Sequence, residues 1–190
     1  MDASAVCEGI GSSSNPRSVT SSISSSAPSY TAPTAKTGLT YNGSAQQLLN
    51  AGSTNDGTIY YSSDGSNWST NIPTATNASD SITVYWKLNG DSNHSNVSSQ
   101  SITCSIGKVQ ATYTTNPTAN SNLIYDGTAK PLLSDGGATS DGTIQYSIDN
   151  TNWSTNVPTA INAGEYTIYW RIVPDGNHIA VTGNATITIE

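Results

Sequence analysis

The chain has 190 residues and a formal net charge of −7, with strong cations only at Arg17, Lys36, Lys87, Lys108, Lys130 and Arg171, scattered along its length. A phosphate backbone is held by clustered cations, so this distribution excludes nucleic acid as a partner. Ser, Thr, Asn and Gly are abundant, Phe is absent and helix formers such as Met are scarce, which points to an all-β chain and excludes a helical one.

Residues 1–26 come first and are of low complexity, with Ser12 to Ser14, Ser21, Ser22 and Ser24 to Ser26 among few large apolar groups. Such a segment buries too little apolar surface to offset its ordering entropy, and the expectation is an extended arm that orders on a partner. Small side chains permit close approach to another protein, and Val6, Ile10, Val19 and Ile23 are the apolar anchors expected to dock it. Met1 to Gly11 has no basic region followed by an apolar stretch, and no later segment is long and apolar enough to cross a bilayer. The expectation is a chain without a secretion signal or membrane span, finished in a cytoplasm. Cys7 and Cys104 are too few for a disulfide framework.

From Ala27 the chain repeats itself. Leu39-Thr40-Tyr41-Asn42-Gly43 recurs as Leu123-Ile124-Tyr125-Asp126-Gly127, a spacing of 84. Asp56-Gly57-Thr58-Ile59 recurs as Asp141-Gly142-Thr143-Ile144, and Asn67 to Ala75 returns as Asn152 to Ala160, both at 85. Thr83-Val84-Tyr85-Trp86-Lys87 then matches Thr167-Ile168-Tyr169-Trp170-Arg171, and Asp91-Ser92-Asn93-His94 matches Asp175-Gly176-Asn177-His178, again at 84. Two copies of one module follow each other, predicted at 27–107 and 108–190. Within each, short alternating runs are separated by turn chemistry at Asn42-Gly43, Asp56-Gly57, Asp64-Gly65, Asp126-Gly127 and Asp141-Gly142. Ile82, Val84, Trp86 and Leu88, and likewise Tyr166, Ile168, Trp170 and Ile172, fall on one face of a strand, so Trp86, Trp170 and Tyr166 are predicted core. Several short strands at this spacing without helical connectors favour two-sheet antiparallel packing. The copies meet at Gly107-Lys108-Val109-Gln110 with no flexible linker, which predicts a semi-rigid rod.

These motifs, in order and twice over residues 33–190, resemble the bacterial immunoglobulin-like repeats of the Big and MBG types found in tandem on cell-surface proteins and tailed-phage virions. The resemblance implies two immunoglobulin-like antiparallel β-sandwich domains used as spacers or adhesion modules, with no catalytic residues. With its N-terminal arm, the chain is similar in plan to auxiliary or decoration proteins of tailed-phage heads, the crAss-like group among them. That plan implies a virion surface protein assembled in the bacterial cytoplasm, with residues 1–26 on the major capsid protein or another virion chain. The alternatives are stalk repeats at a bacterial cell surface and a glycan-binding accessory module.

Candidate sites are few. Trp68 and Trp153 stand in equivalent Asn-Trp-Ser segments, where a host glycan or protein could stack on an exposed ring, although a repeated Trp more often packs on the core or a sheet edge. His94 and His178 follow Asp-x-Asn and read as turn chemistry, since two oxygen donors and an imidazole form an incomplete metal set. Asn162-Ala163-Gly164-Glu165-Tyr166 resembles the tyrosine corner of Greek-key sandwiches, which Ile82 replaces in the first copy. Neither His stands near a nucleophile motif, so no catalytic, cofactor or metal residues are assigned.

Overall fold

The structure, a computed structural model, describes residues 24–190. The arm positions Val6, Ile10, Val19 and Ile23, with Cys7, lie outside the described residues. The described chain is all-β, without a helix.

Each repeat is built around one three-stranded antiparallel sheet. In the first, the central strand Ser79–Gly90 pairs with Gly57–Ser62 on one side and Val97–Ile106 on the other. In the second, Gly164–Pro174 is central, between Gly142–Ser147 and Val181–Ile189. Alternation along the central strands sends Val84, Trp86 and Leu88, and in the second Ile168 and Ile172, to a buried face. Short two-residue pairings form the opposing surface, such as Thr34–Ala35 with Leu49–Asn50 and Gln46–Gln47 with Thr74–Ala75. Leu48 and Leu49 project from them into a cluster with Ile59, Tyr61, Val84, Trp86, Leu88, Cys104 and Ile106. Leu132, Leu133, Tyr146, Ile168 and Ile187 make the corresponding second cluster, which shares no residue with the first. The last strand of each repeat closes on its opening segment in parallel, with Tyr41 N–H donating to Gly107 O at 2.8 Å and Tyr125 N–H to Glu190 O at 2.6 Å.

Changes in repeat spacing coincide with β-bulges, which admit one extra residue into one strand of a pair. The step from 84 to 85 coincides with the irregularity where Thr118 faces Asp135 but Ala119 faces Leu133, whereas Thr34 and Ala35 face Asn50 and Leu49 without a skip. The return to 84 coincides with a shift between Ser79 and Ile82, absent between Gly164 and Tyr166.

Asp56-Gly57 and Asp141-Gly142, read from sequence as turns, instead open strands. Gly57 and Gly142 have φ of 152° and 154°, and a Cβ at either would run into the carbonyl of Asn89 or Val173 on the paired strand. Close approach of two backbones, rather than a reversal, requires these glycines. Asp64-Gly65 does reverse the chain: the Asp64 carboxylate accepts the backbone N–H groups of Ser66 and Asn67 and the Asn67 amide, and Tyr61 pairs with Ser69 across the turn. Asp149 does the same with Thr151 and Asn152, and Asn150 holds φ of 58° where Gly65 holds 74°.

Candidate functional site

Three side-chain arrangements stand out among the described residues, the first two present in both repeats. The first is a histidine held between two aspartates. His94 Nδ1 lies 2.8 Å from Asp91 Oδ1, and its Nε2 3.8 Å from Asp56 Oδ2. His178 Nδ1 lies 2.7 Å from Asp175 Oδ1, and its Nε2 3.7 Å from Asp141 Oδ1. With a carboxylate acceptor at that distance, Nδ1 carries the proton and donates it. The aspartates are themselves tied to the opening segment of their repeat: Asp56 accepts Ser29 N–H at 2.6 Å, and Asp141 accepts Thr112 N–H and Oγ1–H, each at 2.8 Å. These hydrogen bonds hold the Asp141 carboxyl below its usual range, chiefly through the Thr112 backbone, and those of Asn93 and Asn177 do the same for Asp91 and Asp175. The Asx turn read from Asp-x-Asn-His is present, with Asp91 and Asp175 accepting the N–H groups of Asn93 and Asn177, and the histidine Nδ1–H donates to the same aspartate, which sets the ring between the turn and the aspartate preceding Gly57 or Gly142.

The second arrangement concerns Trp68 and Trp153. Both are half-buried, and a cation from the central strand covers each ring: Lys87 Nζ lies 4.4 Å from the Trp68 centroid and Arg171 Cζ 4.2 Å from that of Trp153. Arg171 is further fixed by Nε and Nη2 donating to Gln145 Oε1 at 3.1 and 2.8 Å. A sugar ring would have to displace the chain's own cation to stack on that face.

The third is the meeting of the repeats. The loop Asp175-Gly176-Asn177-His178 of the second rests on the end of the first. Asn177 Oδ1 accepts Ala78 N–H at 2.9 Å, Asn177 Nδ2 lies 3.4 Å from Asn77 Oδ1, and the Tyr41 ring meets the His178 ring edge-on at 5.2 Å between centroids. Val109 N–H donates to Asn177 O and Ala111 N–H to Ile179 O, so the connector is stitched to the same loop. The Tyr41 ring leaves the His178 side chain 10% exposed, against 22% for His94. In the first repeat, Ser26, the last residue of the expected arm, takes the connector's place, its N–H donating to Asn93 O and its carbonyl accepting Ser95 N–H.

The predicted core residues are placed unequally. Trp86 is 5% exposed, opposite Gln100 on the outer strand, with the Tyr30 ring at 5.7 Å. Trp170 packs on the second cluster but is half-buried, its indole lying over Gly183, where a Cβ would come within 2.5 Å of Nε1. It forms the rim of that core rather than its centre. Tyr166 is also half-buried, and its hydroxyl donates to Asn162 O at 2.8 Å, the bond back along the chain that defines a tyrosine corner.

Sequence reasoning missed the cation cover and the junction lock. The signal for the first was present, since Lys87 and Arg171 recur in register with the two tryptophans; the second depends on how the repeats stack, which spacing does not encode. Among the described residues no group of three or more His, Cys, Asp or Glu is arranged to hold a metal ion. No protein-family model matches the chain, and no curated protein matches it.

Proposed function

We propose that the chain is a non-catalytic structural protein, an auxiliary or decoration protein of a tailed-phage capsid, in which residues 1–26 dock on the major capsid protein and two immunoglobulin-like domains, 27–107 and 108–190, project outward as a short stiff rod. The observation that carries this reading is the junction. A display module must hold its outer domain away from its anchor, and here the connector is short, its backbone is bonded to the Asn177 loop, and Asn177 and His178 grip the end of the first repeat. The parallel closure of each last strand on its opening segment, the tyrosine corner at Tyr166 and the two separate cores accord with tandem sandwiches. The titratable groups with the greatest chemical potential, His94 and His178, serve to fasten loops.

The test is co-sedimentation with assembled tailed-phage capsid shells. The full chain is expected to pellet with the shells, and residues 27–190 to stay in the supernatant while retaining their β-type circular dichroism. Equal pelleting of both would place the contact on the domains and overturn the docking role of the arm.

A further inference from the structure

The junction within the chain joins two kinds of surface, and among the described residues each kind occurs once more outside such a junction. The receiving surface is the end of the first repeat, formed by Tyr41, Asn77 and Ala78; the inserting one is the Asn177-His178 loop. By the repeat, Tyr125, Asn162 and Ala163 occupy the receiving stations on the second repeat, and Asn93 and His94 form the inserting loop on the first. The second repeat's receiving end is exposed: Ile124 at 69%, Tyr125 at 53% and Ile161 at 49%. Asn93 is exposed as well, held by the same Asx turn as Asn177.

We propose that the receiving end of the second repeat docks the Asp91–Ser95 loop of a second copy of this chain, so that copies associate head to tail. The inference rests on the tandem-repeat reading and not on the capsid one. The substitutions between the two receiving ends point to this occupant. Half-buried Thr76 of the first repeat becomes Ile161 in the second, and Thr40, exposed next to Tyr41, becomes Ile124, while Tyr, Asn and Ala are kept at the stations that grip the inserted loop. Within the chain the connector supplies an effective concentration on the order of millimolar, so polar threonines suffice there. Between copies no connector helps, and added apolar contact must offset the lost translational freedom. An apolar patch left open beside conserved gripping stations is what an untethered version of this junction requires. The contact joins unlike surfaces, so it propagates instead of closing into a pair.

Light scattering and sedimentation equilibrium of the full chain, up to about 1 mM to match the effective concentration of a tether, test this. The expected result is a weight-average mass of 19.7 kDa when dilute that rises with concentration past the dimer. The double variant Ile124→Asp with Ile161→Asp, and separately Asn93→Ala, should each remain at 19.7 kDa. Mixing these two variants should yield dimers and nothing larger, since each retains one intact surface. Melting followed by circular dichroism verifies that these exposed substitutions leave the fold intact. A wild type that stays monomeric throughout overturns the proposal. So does association abolished by the isoleucine changes but untouched by Asn93→Ala, which would mean that two receiving ends meet each other.

Discussion

The Arg171 guanidinium lies 4.2 Å from the centroid of the Trp153 ring, and in the other repeat the Lys87 ammonium holds the same station over Trp68 at 4.4 Å. The two pairs differ in support, because Arg171 also makes two hydrogen bonds to Gln145 while Tyr60 stands at the corresponding position beside Lys87. Arg171→Ala should therefore destabilise its repeat by about 1–2 kcal/mol and Lys87→Ala by about 0.5–1 kcal/mol. Urea unfolding followed by tryptophan fluorescence measures both; equal losses would show that the Gln145 bonds contribute nothing.

Trp86→Ala empties a buried site and should cost about 3–5 kcal/mol. Trp170→Ala removes a half-buried ring and should cost less, about 2 kcal/mol. Because the two clusters share no residue, each change should lower one calorimetric transition and leave the other near its wild-type temperature. One transition that both variants shift equally would contradict separate cores.

Much of this architecture was legible in the sequence. The register of the repeat, the alternation through Val84 and Ile168 and the turn at Asp64 could all be read because each depends on neighbours close along the chain. The strand opening at Asp56-Gly57 was misread as a turn because glycine serves both needs, and only the paired strand, with Asn89 pressed against Gly57, distinguishes them. Trp170 alternates like Trp86, yet its exposure is set by Gly183 across the sheet, where the first repeat has Gln100. The His clusters were half visible: Asp91 and Asp175 lie three residues from their histidines, but Asp56 and Asp141 stand just ahead of strands distant in sequence.

Acid should unfold the protein through its turns. Hydrogen bonds, first among them the Asn152 backbone N–H, hold the Asp149 carboxyl well below the usual carboxylate range, and Asn67 acts likewise on Asp64. A depressed carboxylate stabilises the fold above its unfolded pKa and loses that contribution as pH falls toward the folded one. Melting temperature should thus be nearly flat from pH 7 to about 4 and fall below it. Asp149→Asn should melt lower than wild type at pH 7, with the gap narrowing below about pH 4. A gap independent of pH would mean that the turn does not draw on the carboxylate charge.

Metal should not matter to stability. With no group of three or more His, Cys, Asp or Glu arranged to hold an ion among the described residues, calcium, zinc and a chelator should all give the same melting temperature. A rise with either ion that disappears in His94→Ala or His178→Ala would reveal a site assembled from the His clusters.

The central claim is that Asn177 and His178 lock the repeats into one fixed relation. Pulsed electron paramagnetic resonance measures it directly, with spin labels at Thr70→Cys and Thr155→Cys, both exposed, in a Cys7→Ser background that leaves buried Cys104 in place. The lock predicts a single narrow distance distribution, broadened when Tyr41→Ala and Asn177→Ala remove the ring contact and the bond to Ala78. A distribution already broad in the otherwise unmodified chain, and unchanged by those two substitutions, would contradict it.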